Sequence, residues 1–95
     1  MSYNPYSLEG KTILVTGASS GIGKATAIEC SRLGARVVIT GRDMSRLEET
    51  FSLLEGREHS LLKADLSSED GIRSLVKDIP EIDGLVNAAG MVKTI

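Results

Sequence analysis

Four short apolar runs alternate along this chain with three longer segments whose apolar residues recur at helical spacing. The first run is apolar without alternation, which is typical of a strand covered on both faces of a parallel sheet. The second run is rich in β-branched residues, which favour strands. The predicted strands span residues 12–16, 35–40, 59–64 and 82–87.

The first predicted helix directly follows a glycine-rich turn and spans about residues 22–33. Ile22, Ala25 and Ile28 form its expected inner stripe. Gly34 comes directly after this segment and is a natural helix stop, because glycine readily adopts the left-handed conformation of a helix end.

The second and third predicted helices are recognised by their ends and by their apolar stripes. Asp43 could cap the second helix, and Gly56 closes it. Ser67, with Asp70 three residues later, resembles a capping box for the third helix, which stops before Pro80. The expected buried stripes are Met44, Leu47, Phe51 and Leu54 in the second helix, and Ile72, Leu75, Val76 and Ile79 in the third.

The resulting order, β-α-β-α-β-α-β with short connections, predicts an α/β fold. Right-handed crossovers place the strands in one parallel sheet with helices on both faces. We therefore expect a partial doubly wound (Rossmann) sheet with strand order 3-2-1-4. Residues 1–9 are predicted to be a tail, and residues 10–95 the N-terminal part of such a domain.

Composition excludes several classes of function. The net charge of −2 gives no electrostatic case for nucleic-acid binding, and no apolar run approaches the length of a membrane span. The N-terminus lacks the basic and apolar regions of a secretion signal, and the single Cys30 cannot form an internal disulfide. A cytoplasmic location is the default expectation, and Cys30 is interpreted as a small core residue.

The turn after the first strand carries the clearest chemical signal. Gly17, Gly21 and Gly23 form a G-x-x-x-G-x-G pattern at the start of a helix. Glycines let the backbone approach an anion closely, and the helix N-terminus presents free N–H groups and a positive dipole end to it. By analogy with other dinucleotide turns, Gly17 makes the turn, Gly21 admits a pyrophosphate and Gly23 allows the helix to pack on the strand. A turn that binds no ligand is the alternative, but hydroxyl groups surround this one at Thr16, Ser19 and Ser20.

Thr16-Gly17-Ala18-Ser19-Ser20-Gly21-Ile22-Gly23 resembles the cofactor motif of the short-chain dehydrogenases/reductases. Three further segments lie in register with this resemblance, at residues 41–43, 65–66 and 83–90. The last resembles the family's D-x-L-V-N-N-A-G segment, but Ala88 replaces the second Asn. This replacement puts in doubt any hydrogen bond that the second amide would make.

The resemblance implies a cofactor site along the carboxyl ends of the strands. Asp65 would accept from the adenine amino group, with Leu66 packing beside it, and Asn87 would lie under a cofactor ribose. Asp65 as an ordinary loop carboxylate and Asn87 as an ordinary strand end are the alternatives. The expected cofactor-binding residues are Gly17, Ser19, Ser20, Gly21, Ile22, Gly23, Arg42, Asp65, Leu66, Asn87, Ala88, Ala89 and Gly90.

Arg42 favours NADP over NAD as the cofactor. A site that prefers NAD places a carboxylate at the end of the second strand to accept from the ribose 2′-hydroxyl. Here that strand ends without an acid, and the guanidinium of Arg42 suits a 2′-phosphate. Asp43 could reach a 2′-hydroxyl, although a helix cap is the simpler role for it, and Arg42 could be a solvated turn residue.

The catalytic groups of the resembled family are missing from these residues. That family uses a Tyr as acid or base, a Lys four residues later that lowers its pKa, and a Ser that polarises the substrate oxygen. Tyr3 and Tyr6 are the two tyrosines, and Ser7 and Gly10 lie four residues beyond them. No residue here is therefore assigned as catalytic, and the 95 residues alone are expected to be inactive.

The resemblance implies that the parent enzyme transfers hydride between NADP(H) and a ketone or secondary alcohol, with a 3-oxoacyl-acyl-carrier-protein reductase as the nearest type. A non-catalytic nucleotide-binding module, or an inert fragment completed by a partner chain, is the alternative. The fourth strand would leave an exposed edge that invites pairing with another chain or a second copy. His59 has no neighbouring ligand set, so it is interpreted as a surface or strand-edge residue, and no metal site is expected.

Overall fold

The computed structural model describes residues 7–19, 21–65 and 68–88. Its four strands are all parallel and lie in the order β3-β2-β1-β4, which confirms the predicted topology. The elements in chain order are β1 (Thr12–Thr16), α1 (Gly21–Arg32), β2 (Arg36–Gly41), α2 (Met44–Ser52), β3 (Ser60–Lys63), α3 (Glu69–Asp78) and β4 (Gly84–Asn87).

The register of the sheet brings the ends of the strands together at one edge. Thr16, the last residue of β1, pairs with Thr40 on one side and with Asn87, the last residue of β4, on the other. Gly41 at the end of β2 pairs with Lys63 at the end of β3. Every loop that follows a strand therefore starts from this carboxyl edge, where doubly wound sheets bind ligands.

The main hydrophobic core lies between the sheet and the helices α1 and α2. Side chains alternate along a strand, so Val15, Val37 and Ile39 point into this core together with Leu47 of α2. Leu14 and Val38 alternate with these residues and are buried on the opposite face. The crossover from β3 back to β4 reverses direction along the sheet, and a right-handed crossover then places α3 over that second face.

Helix α1 packs through small residues, so the predicted stripe is wrong. Its buried residues are Gly23, Ala27 and Ser31, whereas Ala25 is exposed and Ile22 is 50% exposed. Small side chains at a spacing of four residues let the helix axis approach the sheet closely. The stop was predicted correctly, because Gly34 has φ 98° directly after the last turn.

Both later helices have side-chain caps at their N-termini. The Asp43 carboxylate accepts from the backbone N–H of Arg46 at 3.2 Å, as predicted for α2. For α3 the observed cap is Ser68, which accepts from the N–H of Gly71 at 2.9 Å, whereas the predicted cap, Ser67, lies outside the described residues.

The expected stripes of α2 and α3 are only partly buried. Leu47 and Leu75 are buried, but Phe51 is 36%, Ile72 45% and Val76 63% exposed. Thr50, which lies outside the predicted stripe of α2, is fully buried.

Strand β4 forms one edge of the sheet in the described part of the chain. Leu85 on this strand is 59% exposed, in agreement with the expected open edge. The observed strands differ by one or two residues from their predicted bounds: β2 starts and ends one residue later, β3 is shorter at both ends, and β4 starts at Gly84.

Candidate functional site

The glycine turn adopts a backbone conformation that explains two of its glycines. Gly17 has φ 68° and Gly21 has φ 62°, in the left-handed region that side chains with a Cβ rarely enter. These two residues bracket the turn, and Gly21 is also the first residue of α1. The chain therefore reverses sharply between β1 and the helix, with the helix N-terminus at the carboxyl edge of the sheet.

Gly23 is required by close packing rather than by its backbone angle. A Cβ atom at this position would overlap the carbonyl oxygen of Gly17 and lie 3.2 Å from Cα of Ala18. The first turn of α1 thus rests directly on the glycine turn. This contact agrees with the packing role predicted for Gly23.

Gly21 has the opposite environment. A Cβ atom built on it has no heavy atom of the described residues within 4 Å, apart from its two chain neighbours and the nearby backbone of its own helix, and the residue is exposed. The first N–H groups of a helix have no intrahelical acceptor, so α1 presents donors next to this open space. An anionic group could therefore approach the backbone at Gly21 closely, because glycine has no side chain of its own to block it.

Residue Ala18 fixes the middle of the turn through both of its backbone groups. Its N–H donates to the carbonyl oxygen of Thr40 on β2 at 3.1 Å. Its own carbonyl oxygen accepts from the hydroxyl of Thr50 on α2 at 2.8 Å. Ala18 and Thr50 are fully buried, so the turn is anchored to two other elements.

The end of β2 lies directly beside the turn. A Cβ atom on Gly41 would be 3.4 Å from the hydroxyl oxygen of Ser19. Arg42 follows Gly41, is exposed, and makes no ion pair within the described residues. The structure thus brings Ser19 and the start of the Arg42 loop together, while Asp43 is engaged as the cap of α2.

Strand β4 is tied to the same turn by a side-chain hydrogen bond. The Thr16 hydroxyl donates to the side-chain oxygen of Asn87 at 2.9 Å, and the N–H of Ala88 donates to the carbonyl oxygen of Thr16 at 3.2 Å. Ala88 is buried. The sequence suggested Thr16 only as one of several hydroxyls, and its pairing with Asn87 depends on a register that the pattern alone does not give.

At the end of β3, the backbone of Asp65 is packed against the start of α3. A Cβ atom at Gly71 would overlap the carbonyl oxygen of Asp65, so glycine is needed for this close approach. The side chain of Asp65 is exposed at the carboxyl edge. Sequence reasoning missed Gly71, although a glycine in the first turn of a helix is itself a signal of close packing.

Four of the expected site residues, Ser20, Leu66, Ala89 and Gly90, lie outside the described residues. Ile22 is half exposed beside the turn. Among the residues that the structure describes, there is no group of three or more His, Cys, Asp or Glu side chains that could hold a metal ion. No helix in the described ranges is long and apolar enough to cross a membrane.

The amino edge of the sheet, opposite the glycine turn, carries a cavity. A cavity of about 360 Å³ lies there, lined by residues that include Lys11, Arg36 and Arg57. His59 is nearby, and its Nδ1 accepts from the N–H of Val37 at 2.9 Å, which agrees with a strand-edge role. None of the expected site residues lines this cavity.

Cys30 lies on α1, half buried against the main core. Burial raises the pKa of its thiol, and the negative charge of Glu29 raises it further. A raised pKa lowers the thiolate fraction at neutral pH, which agrees with a packing role rather than a reactive one.

Comparison with known proteins identifies the family. A family model described as short chain dehydrogenase matches residues 11–95. The NADP-dependent 3-hydroxy acid dehydrogenase of Schizosaccharomyces pombe is 45% identical over 92 residues, which cover 88% of this chain and 36% of that protein. Retinol dehydrogenase 14 of Mus musculus is 38% identical over 106 residues, covering 93% of this chain and 32% of that protein.

Solved structures agree with this assignment. The Pseudomonas aeruginosa RhlG/NADP active-site complex superposes with a TM-score of 0.76 at 39% identity, covering 90% of this chain and 36% of that one. The chain thus spans about a third of the length of the relatives it matches. It belongs to the short-chain dehydrogenase family.

Proposed function

We propose that this chain is the NADP-binding N-terminal part of an oxidoreductase. The observation that carries the proposal is the open space at Gly21, which lies at the N-terminus of α1 and at the carboxyl edge of the sheet. Space for a close approach, free backbone donors and a helix dipole are the features that bind a pyrophosphate.

We assign the residues at this edge to the nucleotide half of the cofactor. Gly21 and Ile22 would hold the pyrophosphate through backbone N–H groups, and Asn87 would lie beneath the neighbouring ribose. Asp65 is exposed at the end of β3, on the same edge, where it would accept from the adenine amino group. Ser20, Leu66, Ala89 and Gly90 remain part of the proposed site.

Arg42 supports NADP rather than NAD. Arg42 is exposed directly after Gly41, which lies beside Ser19, and it makes no ion pair in the described part of the chain. Asp43 is occupied as the cap of α2, which leaves it less suited to accept from a 2′-hydroxyl. The Schizosaccharomyces pombe relative is named as NADP-dependent, which adds support from a related protein.

NADP(H) would supply the hydride for reducing a ketone or accept it from a secondary alcohol. The residues of this chain would bind the cofactor and orient it along the carboxyl edge. None of the 95 residues lies in a Tyr-x-x-x-Lys pair, so we assign the acid–base step to a further part of the parent protein. The chain alone is proposed to bind without turnover.

The substrate we favour for the parent protein is a 3-oxoacyl thioester of the acyl-carrier-protein type. Support comes from the relative named as a 3-hydroxy acid dehydrogenase, because its named substrate carries its hydroxyl on the same carbon. We also propose a cytoplasmic location. We further propose that this chain forms a homo-oligomer or pairs with another strand through the exposed β4 edge.

A second candidate is a non-catalytic nucleotide-binding module that a partner chain completes. The exposed β4 edge and Leu85 on it favour this candidate, since an unpaired strand edge can accept another strand.

Isothermal titration of the 95-residue chain with NADPH and NADH tests the proposal. We expect saturable binding with tighter affinity for NADPH, and no oxidation of NADPH when a 3-oxoacyl thioester is added. Equal affinity for the two nucleotides would refute the NADP assignment. Oxidation of NADPH by the chain alone would refute the proposal that these residues do not catalyse the reaction.

A further inference from the structure

A hydroxyl on α2 reaches the glycine turn from outside the recognised motif. Thr50 is fully buried, and its Oγ1 donates a 2.8 Å hydrogen bond to the carbonyl oxygen of Ala18, 32 residues earlier in the chain. Among the described residues, the hydroxyl of Thr50 is the hydrogen-bond donor to this carbonyl oxygen. The bond joins the second helix to the peptide between Ala18 and Ser19.

The direction of that peptide decides where the next N–H points. In a planar trans peptide, the carbonyl of one residue and the N–H of the following residue point in opposite directions. Because the Ala18 carbonyl points toward Thr50 on α2, the N–H of Ser19 points away from α2. Within the described residues, this N–H has no acceptor.

The neighbouring peptide groups are held by other contacts. The N–H of Ala18 donates to Thr40, and the carbonyl of Gly17 rests against Gly23 of α1. These contacts constrain the peptide before Ala18, whereas Thr50 constrains the peptide after it. Loss of the Thr50 hydroxyl would therefore free one specific peptide of the turn.

We propose that Thr50 is a positioning residue for nucleotide binding, which acts by aiming the Ser19 N–H at the phosphate-binding side of the turn. The inference rests on the proposed function, because it assumes that this turn holds an anionic group. Preorganised donors cost no reorganisation when the ligand arrives, so their loss weakens binding. Thr50 itself need not touch the nucleotide.

Two variants of Thr50 and one control separate positioning from simple stability. Thr50→Val keeps the shape and removes the donor, while Thr50→Ser keeps the donor and removes a methyl group. Ser31→Ala is the matched control: the buried Ser31 hydroxyl bridges Ile28 and Glu55, near the amino edge of the sheet. Its loss should lower the thermal midpoint without touching the turn.

The readouts are the affinity for NADPH by titration and the amide chemical shifts of Ser19 in the free protein by NMR. We expect Thr50→Val to weaken NADPH binding about tenfold, since a buried carbonyl is left without its donor. We also expect it to shift the Ser19 amide resonance. Thr50→Ser should restore both, and Ser31→Ala should change the affinity less than about twofold.

An unchanged Ser19 amide resonance in Thr50→Val would overturn the inference. So would a Ser31→Ala variant that loses as much thermal stability as Thr50→Val and also loses as much affinity for NADPH. If the unmodified chain binds no NADPH, the proposed function fails instead. The NMR comparison in the free protein then still decides whether Thr50 sets the direction of the peptide.

Discussion

The hydroxyl of Thr16 and the side-chain oxygen of Asn87 are joined by a 2.9 Å hydrogen bond, although the two residues lie 71 positions apart. Thr16 ends β1 and Asn87 ends β4, so the bond fixes the edge strand to the strand that leads into the glycine turn. With its oxygen occupied by Thr16, the Asn87 amide group keeps its two N–H donors for other acceptors.

This bond predicts a measurable loss of stability. Thr16→Val should lower the free energy of unfolding by about 1 kcal/mol, because the hydroxyl is lost while the shape is kept. Chemical denaturation monitored by circular dichroism measures the change. Thr12→Val is the control on the same strand and face, since its hydroxyl has no partner in the described residues and should cost less. Equal losses in the two variants would contradict the role of the Thr16–Asn87 bond.

Gly21 and Gly23 should respond differently to the same substitution. Gly23→Ala should prevent normal folding, because the new methyl group would overlap the Gly17 carbonyl. Gly21→Ala meets no neighbour, so it should cost only about 1 kcal/mol from its left-handed backbone.

The new methyl group at position 21 should nevertheless interfere with NADPH, because it would stand in the space proposed for the pyrophosphate. In a titration, the affinity of Gly21→Ala for NADPH should fall by more than the smaller fraction of folded protein accounts for. Undiminished affinity in a folded Gly21→Ala variant would argue against pyrophosphate binding at this turn.

Arg42 should control the choice between the two nucleotides. Arg42→Asp removes the proposed partner of the 2′-phosphate and introduces an acceptor for a 2′-hydroxyl, so the ratio of NADPH to NADH affinity should fall about tenfold or more. Arg57→Asp makes the same charge change at the amino edge and should leave the ratio unchanged. If both variants change the ratio of NADPH to NADH affinity equally, the effect is one of general charge and not of Arg42.

The exposed edge at β4 should make the chain associate. Leu85 is 59% exposed on a strand with an unpaired side in the described part of the chain, and such edges pair readily. Sedimentation velocity should show association that Leu85→Lys reduces. Leu53→Lys, at a residue that is 47% exposed after α2, serves as the control. A monomer at all concentrations would contradict this expectation.

The strand order and the glycine turn could be predicted from sequence because both depend on local patterns. Continuous apolar runs and glycine spacing are visible residue by residue, and crossover handedness then orders the strands. The helix faces were harder to predict. On α1 the buried residues are Gly23, Ala27 and Ser31, and at position 23 the helix rests on the glycine turn too closely for any side chain.

The polar contacts that organise the site could not be predicted in this way. Thr50 in a helix is normally interpreted as part of a solvated face, and only the packing of α2 against the turn shows its bond to Ala18. Gly71 likewise depends on the approach of α3 to Asp65. Such contacts join distant segments, so they leave no periodic signal in the chain.

The most direct test of the central claim is an NMR titration of the isotope-labelled chain with NADPH, followed residue by residue. The titration compares the glycine turn at the carboxyl edge of the sheet with the cavity of about 360 Å³ at the amino edge. We predict saturable shifts at Gly17, Ser19 and Arg42 and none at Lys11 or Arg57. Shifts confined to the amino edge, or no shifts at saturating NADPH, would contradict nucleotide binding at the glycine turn.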